Sequence, residues 1–432
     1  MSRPTLRPIA ERVACPDCGL MQVLPPLGGR QTAVCRRCDG TLAGPATGRV
    51  DAPMALAGAA LVLLLAAMVW PLITVSSLGA IRESWLTTCV TSLWGQGFPS
   101  LAAVVAAFSV ALPGIYLVML TGGLMALKLG IRAPLGRLFR WVQYLRPWMM
   151  IEVFLVGGFV AYSRIKVVST IEIGIGGWCL LAASLLFLLA LTQLDERTVW
   201  EALPVRDVPV RDMPVRDMPV GGARTPDDPT APAASADHGQ RAIACTVCDL
   251  IVLRTEEGSK CSRCAATLYV RKPDALRRTT ALVITGFLLY VPANVIPVLT
   301  TVRLGRADEN TIMSGVLELV HNDLWPLAII VFSASIVLPL LKLFGLTWML
   351  LATYFRSRHL LVLRTRFYRM IDLVGRWSNI DVFAVSVLIA ALRFGALTEV
   401  HAGAGLVAFA AVVIITMFAT SSFDTRLMWD VI

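Results

Sequence analysis

Charge is what this chain has least of. Only 16% of its 432 residues are Asp, Glu, Lys or Arg, whereas 56% are hydrophobic, and the mean hydropathy is +0.70. That balance excludes an ordinary soluble domain and points to a polytopic membrane protein. The first fifty residues also lack the apolar core of a cleavable signal peptide; they are polar and carry cysteines. No GxxxxGK(S/T) phosphate loop occurs, which argues against ATP hydrolysis by the chain itself. Acidic residues are outnumbered, 29 against 39 Lys and Arg, for a net charge of +10. In a membrane protein such an excess belongs to cytoplasmic loops, so no nucleic-acid partner is expected.

What is present begins with ten cysteines, eight of them in four CxxC pairs. Cys15 and Cys18 precede Cys35 and Cys38 by a 16-residue spacer; Cys245 and Cys248 precede Cys261 and Cys264 by a 12-residue spacer. Two CxxC turns at such spacing place four thiolates tetrahedrally, as in a zinc ribbon, so these eight cysteines are the candidate ligands of two Zn²⁺ ions. The same ligands suit iron. Disulfides are the alternative and need an oxidising compartment. Cys89 and Cys179 are left over, and pair only if they meet in an oxidising space.

Apolar runs predict eight membrane spans: about Pro53–Val75, Phe98–Leu127, Trp148–Tyr162, Gly174–Leu194, Thr280–Leu299, Trp325–Leu351, Trp377–Leu397 and Gly403–Thr420. Two basic loops follow the second and sixth spans, one holding Arg132, Arg137, Arg140 and Arg146, the other Arg356, Arg358, Arg364, Arg366, Arg369 and Arg376. The chain is an internal duplication with a period of about 226 to 230 residues. Cys15 matches Cys245, Pro71 matches Pro297, Pro113 matches Pro339, Glu152-Val-Phe matches Asp381-Val-Phe, and Asp195, Arg197 and Trp200 match Asp424, Arg426 and Trp429. The expected fold is an all-α polytopic membrane protein, two tandem repeats of four transmembrane helices, each preceded by a zinc ribbon. Its parts are a ribbon over 10–45, a helical domain over 50–200, a disordered PVRDx-repeat linker over 201–241, a second ribbon over 242–272 and a second helical domain over 278–432. Four spans per half give both halves the same orientation. The arginines then put both termini and both ribbons in the reducing cytoplasm.

Inside the spans a few polar residues stand out. Lys342 lies three residues after Pro339 in an otherwise apolar run, and Asp381 enters the next one. Buried charges in a bilayer are costly and mark pathways, relays or structural pairs. If the two helices form a hairpin, Lys342 and Asp381 fall in the same half of the membrane, as a register-fixing pair or a coupling site. Ser335, two turns before Lys342, and Thr416 extend the polar chain or bond their own helices. Asp195 and Asp424 sit beside arginines at helix ends, as anchors or as a proton entry point. In the first half Tyr116 replaces Lys342 while Glu152 keeps the acid, so only the second half has a lysine and a carboxylate.

The two tetracysteine knuckles each followed by four spans, the Pro-containing second and sixth spans, the Asp381-Val-Phe motif and the closing Asp-x-Arg-x-x-Trp resemble the paraquat-inducible protein A family of Gram-negative envelopes. The resemblance covers nearly the whole chain apart from the linker. It implies a bacterial inner-membrane protein that works with a periplasmic MCE-domain partner, loading phospholipids into its tunnel or receiving them from it. Energy from an ion gradient would pass through Lys342 and Asp381. Two other readings stand beside this one. A thiol–disulfide oxidoreductase would need its cysteine pairs on the periplasmic side, and a non-transporting scaffold would only anchor the MCE partner.

Overall fold

The computed structural model describes residues 11–24, 31–44, 50–77, 80–131, 134–166, 170–205, 241–254, 258–303, 306–392 and 398–430. The PVRDx linker lies almost wholly outside them.

The chain opens with two hairpins, β1 (Glu11–Ala14) with β2 (Met21–Leu24) and β3 (Ala33–Val34) with β4 (Thr41–Ala43). Each encloses one CxxC turn. The turn closes by Gly19 N–H donating to the Cys15 carbonyl at 2.9 Å, and by Asp39 N–H donating to the Cys35 carbonyl at 3.0 Å. Gly19 (φ 74°) and Asp39 (φ 56°) take the left-handed conformation this knuckle requires.

The first half follows as α1 (Asp51–Val69), β5 (Ile73–Ser77), β6 (Ala80–Ser84), α2 (Leu86–Gly95), α3 (Pro99–Ala106), α4 (Leu112–Lys128), α5 (Leu135–Leu145), α6 (Ile151–Lys166), β7 (Thr170–Ile173), α7 (Ile175–Gln193) and α8 (Glu196–Glu201). The second ribbon supplies β8 (Arg241–Ala244) and β9 (Ile251–Arg254). The second half repeats the order: α9 (Ala275–Val295), β10 (Leu299–Arg303), β11 (Arg306–Asn310), α10 (Ile312–His321), α11 (Trp325–Phe332), α12 (Leu338–Tyr354), α13 (Leu361–Val374), α14 (Ile380–Ala391), β12 (Thr398–Ala402), α15 (Ala404–Ser422) and α16 (Arg426–Trp429).

Among the described residues, seven helical stretches are long and apolar enough to cross a membrane: Asp51–Val69, Pro99–Lys128, Leu135–Lys166, Ile175–Gln193, Trp325–Tyr354, Leu361–Ala391 and Ala404–Ser422. The counterpart of α1 in the second half, α9, has 21 residues but carries Arg277 and Arg278 in its first turn and Pro292 and Asn294 near its end. The duplicated helical plan expected from the sequence is therefore present, with several boundaries corrected. The first span ends at Val69, because Trp70-Pro71 stops the helix, and Val75 belongs to β5. The fifth ends at Val295, and Leu299 begins β10. Both basic stretches contain helices rather than loops alone. Leu135, Phe139 and Val142 recur at helical spacing and bury one side of α5, leaving Arg137 exposed. The apolar stretch that holds the third span begins at Leu135, but α5 is a separate helix and α6 starts at Ile151, close to the expected start at Trp148. The seventh helix ends at Ala391, and residues 393–397 lie outside the described chain.

Two three-stranded antiparallel sheets add to the helices at the end remote from the ribbons. One has the order β6-β5-β7, the other β11-β10-β12. The glycine pairs Gly174/Gly176 and Gly403/Gly405 seat α7 and α15 under these sheets. A Cβ on Gly176 would collide with the Trp70 carbonyl, and one on Gly405 with the Ile296 carbonyl. The halves also interlock through Gln96 of the first, which bonds the β12 backbone of the second at Val400 (2.9 Å) and Ala402 (2.8 Å).

Equivalent helices of the two halves meet at the centre. Phe154 of α6 packs edge-on against Phe383 of α14, with ring centroids 5.4 Å apart. A Cβ added to Gly157 would stand 2.8 Å from both the Ile380 carbonyl oxygen and the Phe383 Cβ, whereas one added to Gly158 would meet nothing within 4 Å. Gly157→Ala is therefore expected to destabilise the protein by about 1–3 kcal/mol through overpacking. Gly158→Ala should be neutral or slightly stabilising. Thermal unfolding of the two variants in detergent checks the contrast.

Candidate functional site

Every residue of α14 is buried, Asp381 among them. A carboxyl in such a helix needs a hydrogen-bond partner. Ser335 provides it: its hydroxyl donates to Asp381 Oδ2. Ser335 stands in a wide π-turn, Ser333–Val337, between α11 and α12. Pro339 explains that turn, since it has no N–H to donate and its ring displaces the preceding turn. The first half has the same device, Ala107–Ala111 before Pro113.

Lys342 lies beyond the π-turn and is 2% exposed. It does not pair with Asp381. Its ammonium donates to the Gly375 carbonyl at 2.5 Å and to Thr416 Oγ1 at 3.4 Å. Gly375 begins the 3₁₀ turn, Gly375–Asn379, that joins α13 to α14. Thr416 donates its own proton to the Val413 carbonyl at 2.9 Å, which leaves its lone pairs facing the lysine. Among the described residues no carboxylate lies within ion-pair distance of Lys342, although the charge of Asp372 acts on it. The direct lysine–carboxylate pair expected from sequence is thus replaced by two adjoining clusters: Ser335 with Asp381, and Lys342 with Gly375 and Thr416. Asp372 escaped the sequence reading because it sits within an arginine-rich stretch.

The other candidates fall elsewhere. Tyr116 is buried in the first half and packs edge-on against Phe187 at 5.7 Å. Glu152 is half-buried near the start of α6. Asp195 caps α8, accepting from Arg197 N–H at 3.1 Å and from the Thr198 hydroxyl at 2.6 Å. Asp424 binds the Arg426 side chain at 2.8 and 2.9 Å and accepts from Lys272 N–H at 3.0 Å. Burial would raise the Asp424 pKa, but the bonds and charge of Arg426 outweigh it and hold the carboxyl below its ordinary value. Burial conversely lowers the pKa of Lys272.

A cavity of about 110 Å³ opens beside Asp381. Its walls come from β10, β12, α10, α11, α14 and α15, and are mostly apolar, including Leu319, Val385, Leu388 and Phe409. The first half contributes Arg164. Arg164 lies past the expected end of the third span at Tyr162, and only the packing of α6 on α14 carries it into the other half.

At the opposite end the cysteines form two compact clusters. Cys15 and Cys38 sulfurs are 3.5 Å apart and those of Cys18 and Cys35 3.6 Å; in the second ribbon Cys245 and Cys264 are 3.5 Å apart, Cys248 and Cys261 3.6 Å. Zn–S bonds of about 2.3 Å set the edges of a sulfur tetrahedron near 3.8 Å, so both clusters fit a metal ion. Gln22 Nε2 donates to Cys35 Sγ at 3.0 Å, and Arg369 donates to Cys38 Sγ at 3.3 Å while pairing with Asp17 at 2.7 Å. Such donors favour thiolates and orient them. Cys89 and Cys179 are both free thiols.

The ribbons dock crosswise. The first packs on the second half: its four cysteines share a core with Leu346, Met349, Phe423 and Trp429, and Arg37 lies over the Trp429 ring at 4.8 Å. The second packs on the first half, where Arg140 of α5 donates to the Ala265 carbonyl at 2.6 Å.

These features define a class: a duplicated multi-pass membrane protein with two four-cysteine modules able to hold a metal ion and a polar centre in one half. The model of the family described as paraquat-inducible protein A matches residues 50–204 and 276–432, and the chain belongs to that family. It is 31% identical over 426 residues to "Intermembrane transport protein PqiA" of Escherichia coli, covering 98% of this chain and 96% of that one. It is 26% identical over 432 residues to "Lipophilic envelope-spanning tunnel protein A" of the same species (99% and 94% covered). A "Probable intermembrane transport protein" of Haemophilus influenzae is 24% identical over 425 residues (96% and 95%). No solved structure matches the chain.

Proposed function

We propose that this chain is the inner-membrane component of a lipid transport system, passing phospholipid to or from a periplasm-spanning MCE-domain partner. Proton exchange at the Lys342 and Asp381 clusters drives the transfer. The observation that carries this reading is the cavity lined by Asp381, in a chain whose full-length relatives are named for intermembrane transport and an envelope-spanning tunnel. A carboxyl lining an apolar cavity is placed to couple its protonation to what the cavity holds. The arginine-bearing helices α5 and α13, the termini and the ribbons face the cytoplasm, whose reducing conditions keep the cysteines available for Zn²⁺. The sheets and the mouth of the cavity then face the periplasm, where the partner docks. The ribbons hold the metal that stabilises them and take no part in electron transfer.

The test is purification of the intact chain from its native membrane in mild detergent, with mass spectrometry of what accompanies it. An MCE-domain protein and phospholipid are expected together. A chain that elutes alone, without lipid and with redox-active thiols, refutes the proposal.

A further inference from the structure

Arg164 has no use in the scheme above. It lies near the end of α6, the central helix of the first half, yet it lines the cavity of the second. Its guanidinium stands over Gly315 of α10, where an added Cβ would lie 3.6 and 3.8 Å from its two terminal nitrogens. Its Nε is buried without a hydrogen-bond partner, and among the described residues the side chain makes no ion pair. A guanidinium carries five N–H donors in a fixed fork, shaped for carboxylate or phosphate oxygens. Leaving the buried Nε unsatisfied costs free energy, and apart from the pull of its charge on Asp381 nothing described balances the guanidinium, so its placement suits an anionic ligand.

We propose that Arg164 is the receptor for the phosphate of a phospholipid headgroup, seated in this cavity with its glycerol end against the apolar wall. The inference rests on the lipid-transport reading and names the group that binds the cargo. The chemistry of the cavity favours a phosphodiester over free phosphate. Asp381 and Glu318 also line it. Their carboxylates repel a dianion more than the single charge of a diester. The walls of Leu319, Leu388 and Phe409 reward apolar surface that inorganic phosphate lacks. The arrangement also brings the headgroup next to the Ser335–Asp381 bond, so a bound phosphate adds negative charge beside the carboxyl whose protonation is to be coupled. Arg164 comes from the first half and everything else named here from the second. Relative movement of the halves would therefore make or break the headgroup contact.

The test uses the full-length chain with its metals in alkyl-maltoside micelles, titrated with phosphatidylethanolamine carrying a fluorophore on one acyl chain. Arg164→Gln is expected to weaken binding at least about tenfold, the loss of one charge-assisted contact. Arg164→Lys, which keeps the charge but not the fork, should recover part of the affinity. Unchanged unfolding temperature and metal content show that the variants are folded. Millimolar inorganic phosphate should leave lipid binding unaltered. Wild-type affinity in Arg164→Gln overturns the assignment of Arg164 and leaves the transport reading standing. Displacement of the lipid by inorganic phosphate overturns the headgroup assignment in favour of a general anion site. A wild-type chain that binds no phospholipid overturns both readings.

Discussion

Cells whose only copy carries Lys342→Met are expected to make the protein in normal amount and to leave the envelope as sensitive to detergents and lipophilic antibiotics as a deletion does. Lys342 is buried, lacks an ion pair among the described residues, and is held by a backbone carbonyl and a hydroxyl. Exchanging such a charge for an apolar side chain of similar length is neutral or stabilising for folding. Loss of function without loss of stability would therefore report on the charge itself. Asp381→Asn should behave alike, since an amide still accepts the Ser335 proton but no longer ionises. Lipid transfer in proteoliposomes is expected to fall by at least about tenfold in either variant, the scale of one lost charge-dependent step. Tyr116→Phe and Glu152→Gln in the first half provide the comparison. Tyr116 fills the place of Lys342 with a ring packed on Phe187, so that half has no lysine to exchange a proton with its acid. Normal envelope function and transfer rate in both Lys342→Met and Asp381→Asn would refute proton coupling through these residues.

The duplicated helices and the cysteine clusters were legible because their signals are local. A CxxC turn needs only its own residues to form, and an apolar run long enough to cross a bilayer shows in its own residues. The strands were hidden for the opposite reason. Ile73–Ser77 directly follows an apolar helix and reads as its continuation; its identity as a strand depends on β6 and on β7, about a hundred residues away. Helices α5 and α13 were masked by the arginines that alternate with their apolar positions. The partners of Lys342 and Asp381 were beyond reach as well. Seven residues separate Ser335 from Lys342, close to two ideal helical turns, which puts them on one face. The π-turn before Pro339 widens one of those turns, so Ser335 reaches Asp381 while Lys342 points to Gly375 and Thr416. No periodicity announces the crossed docking of the ribbons, because it depends on contacts such as Arg369 with Asp17, 352 residues apart.

That crossed docking decides what metal removal should do. The intact chain is expected to carry two metal ions by elemental analysis, and Cys15→Ser or Cys261→Ser should each remove one. The first ribbon is expected to need a metal to hold its shape: among the described residues, apart from the cysteines, its own buried apolar cluster is Val13, Leu24 and Ala43. So small a core does not offset the entropy of ordering the chain, whereas a structural Zn²⁺ in zinc-finger peptides contributes roughly 10–16 kcal/mol. Loss of that metal should release the ribbon from the second half, freeing Arg369 from Asp17 and Cys38 and Arg37 from Trp429. The expected signature is protease cleavage within residues 11–44 and a lower unfolding temperature for the second half. The first half, which the second ribbon covers and which reaches the first ribbon through Arg197 donating to the Leu42 carbonyl, should be affected far less. Cys261→Ser should give the reciprocal result, exposing the second ribbon and weakening the first half around Arg140. The two variants therefore separate a purely local role of each metal from a role in bracing the opposite half. Cleavage confined to the ribbon with no change in the unfolding of either half would show that the ribbons merely rest on the bundle. Unchanged metal content in both variants would refute the assignment of the cysteine clusters as metal sites.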